Sequence, residues 1–287
     1  MANIDNTILH QEEWEITLQE ELDEPVKWKD ICDVRITNTK VIHHDYADDI
    51  TVQTGLRNTS YTLQPYTIVD DQLNINQMGV APQYIARADF AQSTFTKQMD
   101  MAKRQAVILN ETVESAVYGD FANFTSLDNS SLLGGGAGSI TVSATNVDDI
   151  VTGVVREIGE AAGESMLRRH GGFMVWRHAD LELLQKFAMA NGFSTADQAL
   201  QSHAKGFGGW RYMGLDHYAS NLIVGGRIMG GVKNSVTVGI LKATRGFVMV
   251  DDKDPAQLPG LSIVSYVDYG IKTFNRPANI VFDIAVA

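Results

Sequence analysis

Cysteine is all but missing from this chain: Cys32 stands alone among 287 residues. No intrachain disulfide can form, and the usage fits a reducing compartment. Apolar runs of the ~18 residues that announce a membrane-spanning helix are also lacking. The stretch from Met1 to Glu13 has neither the basic segment nor the apolar core of a signal peptide. The chain is therefore expected to be made, and to stay, in a cytoplasm-like medium. Positive charge is in deficit, with 23 Lys and Arg against 35 Asp and Glu, a net charge of -12. Contact with phosphate backbones draws on clustered cations that release counterions. The densest basic stretches, Lys103-Arg104 and Arg168-Arg169-His170, read as solvated helix positions. The charge thus argues against a reader of nucleic acid. What remains is an ordinary globular balance, 44% hydrophobic and 20% charged, in a chain long enough to bury a real core without a disulfide or a metal.

Motifs that carry chemistry are equally sparse. None of the seven histidines forms HxxxH or stands at metal-ligand spacing from Cys32. His43-His44 is the best metal candidate, but adjacent side chains on a strand point to opposite faces and would not chelate one ion. No GxSxG elbow occurs, and Cys32 has no neighbouring histidine to lower its pKa. The run Leu132 to Ser139, LLGGGAGS, fails GxGxxG and is not followed by Gly-Lys-Ser/Thr, so it reads as a connector. The acid pairs Asp48-Asp49 and Asp251-Asp252 read as solvated turns rather than as acid-base or Ca²⁺ groups. Tyr266, Tyr269 and Phe274 read as core or interface anchors rather than a ligand platform. The expectation is a protein without catalytic residues, cofactor or metal.

The organisation of the chain is more telling. Residues 1–32 are polar and acidic with scattered Trp14, Ile16, Leu18, Leu22, Trp28 and Ile31, an arm whose apolar groups must lie against another part of the chain or another copy. Residues 33–82 are rich in strand formers around polar turns at Asp45 to Asp49 and Gly55 to Ser60. They read as a long ribbon; about 14 residues at roughly 3.3 Å each reach about 45 Å. A two-stranded ribbon is only marginally stable in water, so it needs a partner surface. Within 83–147, the segment Gln83 to Tyr118 lies between Pro82 and Gly119 with apolar or small residues at Tyr84, Ala88, Ala91, Phe95, Met99, Ala102, Ala106, Leu109, Val113 and Ala116. That spacing predicts one helix of about 54 Å, longer than the ~49 Å diameter of a compact sphere of this chain, and hence a flat, elongated subunit. The same spacing suits a coiled coil, but Ala stands where Leu or Ile would be expected there. Residues 148–231 alternate helix and strand. Asn146 is expected to cap a helix over Val147 to Leu167, and Gly172 to Trp176 a buried strand, followed by a helix over Ala179 to Ala190 and a mobile loop at Gly206 to Gly209. Residues 232–287 return to strands, the last of them ending close to the terminus, where truncation should harm folding or assembly.

In its order of segments the chain resembles the tailed-bacteriophage major capsid proteins of the Hong Kong 97 type. Three local stretches carry the resemblance. Gly209 to Leu222, GWRYMGLDHYASNL, is similar to the family's strand, glycine, strand and Ser-Asn segment. Val238-Gly239-Ile240-Leu241 with Arg245-Gly246-Phe247 resembles the strands that re-enter its peripheral domain, and Tyr269 to Pro277, YGIKTFNRP, its closing tyrosine-glycine strand and arginine-proline step. The resemblance implies an α+β fold with an N-terminal arm, an extended β-hairpin loop, a long spine helix, a peripheral-domain β-sheet and an inserted axial α/β domain.

It implies as well a shell-building function with no enzymatic activity. Copies would meet as hexamers and pentamers through the extended loop at Tyr46, Asp48, Asp49, Arg57, Asn58 and Tyr61. The axial loop at Phe207, Gly208, Gly209 and Trp210 and the arm at Trp14 and Trp28 would make further contacts. Implied partners are a portal protein, a separate scaffolding protein since the arm is short, and a decoration protein, with DNA enclosed but not read. The expected location is the virion, assembled in the host cytoplasm. Lys40 with Asn275 or Asn279 has the residue types for the intersubunit crosslink of some relatives, but no pattern fixes their geometry and crosslinking is not expected. An encapsulin-like compartment shell is the nearest alternative. A soluble α/β enzyme or ligand-binding protein using Gly172 to Gly231 is the alternative from another class.

Overall fold

The computed structural model describes residues 27–47, 52–55, 60, 62–86, 95–161, 163–190, 210–242, 246–251, 260–275 and 277–287. In chain order the first elements are α1 (Lys27–Ile31), β1 (Asp33–Thr37), β2 (Val41–Ala47), β3 (Ile68–Asn74), β4 (Gln77–Ala86) and α2 (Phe95–Gly119). There follow β5 (Thr125–Leu127), α3 (Asn129–Leu133), α4 (Val147–Glu160), α5 (Glu164–His170), β6 (Gly172–Trp176) and α6 (His178–Ala190). The last are β7 (Trp210–Tyr212), β8 (Leu215–Ala219), β9 (Arg227–Val232), β10 (Val236–Leu241), β11 (Gly246–Asp251), β12 (Gly260–Thr273) and β13 (Val281–Ala285).

The first sheet is built on β12, whose 14 residues pair antiparallel with β4 and β11 along the first part and with β10 along the last. β1 adds to β10 in parallel, so Asp33 to Thr37 belongs to this sheet and not to the ribbon that the sequence predicts from Asp33 onward. α2 lies over one face: Ala106, Leu109, Val113 and Val117 are buried, and a Cβ on Gly79 would stand 3.3 Å from Leu109. Each such Val or Leu contributes about 1.5–3 kcal/mol by leaving water. The helix is shorter than predicted, 25 residues or about 38 Å, because Gln83 to Ala86 continue β4 and pair with Gly260 to Ile263. Pro82 sits inside that strand, tolerated because among the described residues β4 pairs with β12 alone and leaves its other edge unpaired. A helix of this length no longer exceeds the diameter of a compact chain, so the length argument for a flat subunit lapses.

The second sheet runs β5-β13-β9-β6-β8-β7. β6 is central and buried at every position, as a near-continuous apolar run predicts. Its alternate side chains serve two cores. Phe173 and Val175 join the one under α1 and α2; Met174 and Trp176 join the one under α4 and α6. The helix expected over Val147 to Leu167 stops at Glu160 and resumes as α5. A Cβ on Gly163 would lie 2.6 Å from Ile280, so the break lets the chain pass close to its C-terminal segment. Asn146 does not cap α4. Its carboxamide is turned into the preceding loop, accepting from the Ser143 N–H at 2.8 Å and donating to the Thr141 carbonyl at 2.9 Å. β13, expected as the last of the C-terminal strands, is a strand and pairs antiparallel with β9 and parallel with β5.

Candidate assembly surfaces

The β2–β3 ribbon is a separate two-stranded sheet, paired from Val41↔Asn74 to Ala47↔Ile68, and its base is fastened to the first sheet by three devices. Gly239 and Gly270 face each other across β10 and β12 and leave a floor without side chains. Into it fit Ile42, Leu73 and Ile75; a Cβ at Gly270 would come within 2.3 Å of the Asn74 carbonyl oxygen. Asp71 is buried and takes an ion pair from Lys272 Nζ and the Asn275 N–H at 2.8 Å. These partners hold its carboxyl below the usual range against the opposing effect of burial. His44 stacks on Phe274 with ring centroids 4.4 Å apart. His43, one residue earlier, points to the opposite face, as strand alternation requires.

Beyond this base the ribbon and its continuation expose apolar groups: Val52, Leu63, Tyr66 and Ile68. A second apolar area lies on the face of the first sheet away from α2, where Met78 and Val80 of β4 are exposed beside half-buried Tyr266 and Val264. α2 adds Val107 and Ile108 on its outer side. Isolated exposed apolar residues are ordinary, but groups of them on projecting and sheet surfaces mark contact sites.

Of the predicted contact residues, Trp14, Asp48, Asp49, Arg57, Asn58, Tyr61, Phe207, Gly208 and Gly209 lie outside the described residues. Tyr46 is half-buried on β2 opposite Val69, and Trp210 begins β7 opposite His217. Trp28 is corrected by the structure. It is 1% exposed, packed in the core under α2, and its indole N–H donates to Asn110 Oδ1 at 3.0 Å. No surface of it is left for a neighbouring copy. Lys40 stands at the base of the ribbon, where its carbonyl accepts from the Ile75 N–H at 2.8 Å.

The buried titratable groups serve packing. Glu114 on α2 accepts from Tyr118 Oη at 2.8 Å and from Ser220 Oγ at 3.4 Å, joining the long helix to the end of β8. Burial pushes its pKa up, against those two hydrogen bonds and the nearby Lys27 charge. Lys27 donates to the Ala219 carbonyl, so α1 is tied to the same place. His217 accepts at Nδ1 from the Trp176 indole at 2.9 Å, while Nε2 faces the Tyr212 carbonyl at 3.2 Å. That arrangement fits a neutral ring with its proton on Nε2, and burial lowers the pKa to about 4. The Cys32 thiol is buried and its pKa pushed far up by desolvation, then by Glu114 and Asp33, which makes it inert as a nucleophile.

The anchoring residues Asp71, Lys272, Gly239 and Gly270 escaped the sequence reading. A glycine inside a strand does signal close backbone approach, so the two glycines were discoverable; the Asp71–Lys272 pair, 201 residues apart, was not.

No family model matches this sequence, and no characterised protein matches it by sequence. Solved structures do match. The capsid of Ralstonia phage GP4 superposes with a TM-score of 0.61 over 89% of this chain and 87% of that one, at 10% identity. A structure from Mycobacterium phage Che8 gives 0.58 over 86% and 84%, at 16% identity. The virus-like particle from Pyrococcus furiosus gives 0.59 over 96% and 99%, at 11% identity. At such identities the likeness is one of fold: the chain shares the mixed helix-and-sheet fold of these phage capsid and virus-like-particle structures.

Proposed function

We propose that this chain is the major capsid protein of a tailed phage, assembling with its own copies into an icosahedral head shell around double-stranded DNA. In that reading the β2–β3 ribbon is the extended loop, α2 the spine helix, the first sheet the core of the peripheral domain and the second sheet with α4 and α6 the axial domain. The observation that carries it is the ribbon. It is pinned at its base by Asp71, Lys272 and the paired glycines, yet its outer apolar side chains, among them Tyr66 and Ile68, meet solvent in a single chain. A second copy would bury them. The apolar sheet face around Met78 and Val80 offers a surface of the right character. Portal, scaffolding and decoration proteins would be the further partners, and the acidic chain would leave packaged DNA unbound.

Negative-stain electron microscopy with light scattering on the purified protein tests this. Closed shells or ring-shaped capsomers are expected; a strictly monomeric 31.5 kDa species at every protein and salt concentration would remove the proposal. An encapsulin-like compartment is the second reading, favoured by the coverage of the Pyrococcus furiosus particle chain, 96% and 99%. DNA inside purified particles speaks for the phage head, and a protein cargo for the compartment.

A further inference from the structure

Three polar side chains converge on the open face of the ribbon, and neither its core nor its anchor uses them. His43 and Asp45 are two apart on β2 and so share a face, and Asp70 on β3 stands directly opposite Asp45. His43 Nδ1 lies 2.9 and 3.1 Å from the two carboxylate oxygens of Asp70. One ligand atom from each of the three falls within 4.8 Å of the others, and all three residues are exposed. Gln72 Nε2 donates to Asp70 Oδ2 at 2.5 Å and holds that carboxylate in place.

Like charges directly opposite each other in an antiparallel pair destabilise it. Among the described residues no lysine or arginine forms an ion pair with Asp45 or Asp70, and Lys272 is committed to Asp71 on the other face. The register therefore sets two carboxylates against each other with only an imidazole between them. That imidazole is what separates the trio from an ordinary acidic patch, because nitrogen with carboxylate oxygen suits Zn²⁺, Co²⁺ or Ni²⁺ better than Ca²⁺ or Mg²⁺.

We propose that this face binds one divalent first-row transition cation, with His43 Nδ1 and the carboxylates of Asp45 and Asp70 as its protein ligands and water completing the shell. The cation neutralises both carboxylates and clips β2 to β3 partway along a ribbon that has no third strand among the described residues. A ribbon of two strands is marginal in water, so the clip sets how firmly the projecting part is held. The site is complete within one chain and does not depend on the shell reading.

The test titrates tag-free, unassembled subunits with Co²⁺ and follows its visible d–d absorption, with Zn²⁺ competition and hydrogen exchange of the ribbon amides alongside. One Co²⁺ per chain is expected, displaced by Zn²⁺, with slower exchange from Val41 to Ala47. H43A and D70N, both at exposed positions and each checked for native folding by circular dichroism, should each weaken binding roughly tenfold or more. H170A, remote from the ribbon, should leave it unchanged. Absence of saturable binding, or binding that survives in both ribbon variants, overturns the site.

Discussion

Gly239 and Gly270 face each other on one side of the first sheet, but the consequences of filling them differ. A methyl at Gly270 meets backbone, the Asn74 carbonyl oxygen at 2.3 Å, which cannot move without shifting the ribbon; at Gly239 it meets the tip of Leu73 at 2.9 Å, which can turn away. Overpacking of this kind costs about 1–3 kcal/mol. G270A is expected near the upper end and G239A near the lower, measured by urea denaturation of unassembled subunits; equal losses would mean the ribbon does not rest on Gly270. The buried His217 gives a pH signature. Its pKa falls from an ordinary 6.5 to about 4 in the folded chain because burial disfavours the charged ring. The stability it contributes is fully present above pH 6.5 and is lost as pH drops toward 4, because the unfolded chain takes up the proton first. Between pH 7 and pH 5 that loss is about 2 kcal/mol. H217Q keeps a donor and an acceptor for Trp176 and Tyr212, and should show a shallower decline over that interval. An identical slope in both proteins would place the pH dependence elsewhere. Gly239 and Gly270 signal close backbone approach as glycines inside strands, but neither what they receive nor His217's pairing with Trp176 was legible in the sequence, since each joins residues far apart in the chain. The outward and inward turns of His43 and His44 were legible, because alternation is a local rule.

Periodicity served the elements well where one face decides and poorly where two elements share a pattern. β6 and α6 appear where their apolar runs predict them. The helical spacing that begins at Tyr84 misplaces the start of α2, because Gln83 to Ala86 satisfy β12 as a strand and long-range pairing outweighs local propensity. β4 also separates two surfaces by alternation: Gly79 and Ala81 are buried, Met78 and Val80 exposed. V80D therefore adds a charge to the outer face at small cost to folding. The expected result is a subunit with native circular dichroism that forms no shells by electron microscopy. Normal shells from V80D would exclude this face from subunit contact.

At the scale of the molecule, composition predicted a globular core and the order of segments predicted a mixed helix-and-sheet fold, while the partition of strands between sheets stayed hidden. Nothing local in Val281 to Ala285 says that β9 and β5, rather than β12, will be its neighbours. The net charge of -12 acts at this scale too. Copies brought together repel one another, and the screening length shrinks from about 30 Å at 0.01 M salt to about 8 Å at 0.15 M. Light scattering should find the protein concentration needed for assembly falling several-fold over that range; assembly favoured at the lowest salt would reverse the role given to the acidic surface.

The placement of β12 and β13 also bears on synthesis. One is the strand on which β4, β10 and β11 all pair, and the other joins β9 to β5. Neither sheet can close on a nascent chain that has not yet reached residues 260–285. At about 5–20 residues per second of translation, the ribbon leaves the ribosome well before its glycine floor exists. For those seconds Ile42, Leu73 and Ile75 stand without the floor that Gly239 and Gly270 later give them, and the ribbon's half of the contact has to wait for the sheet's half.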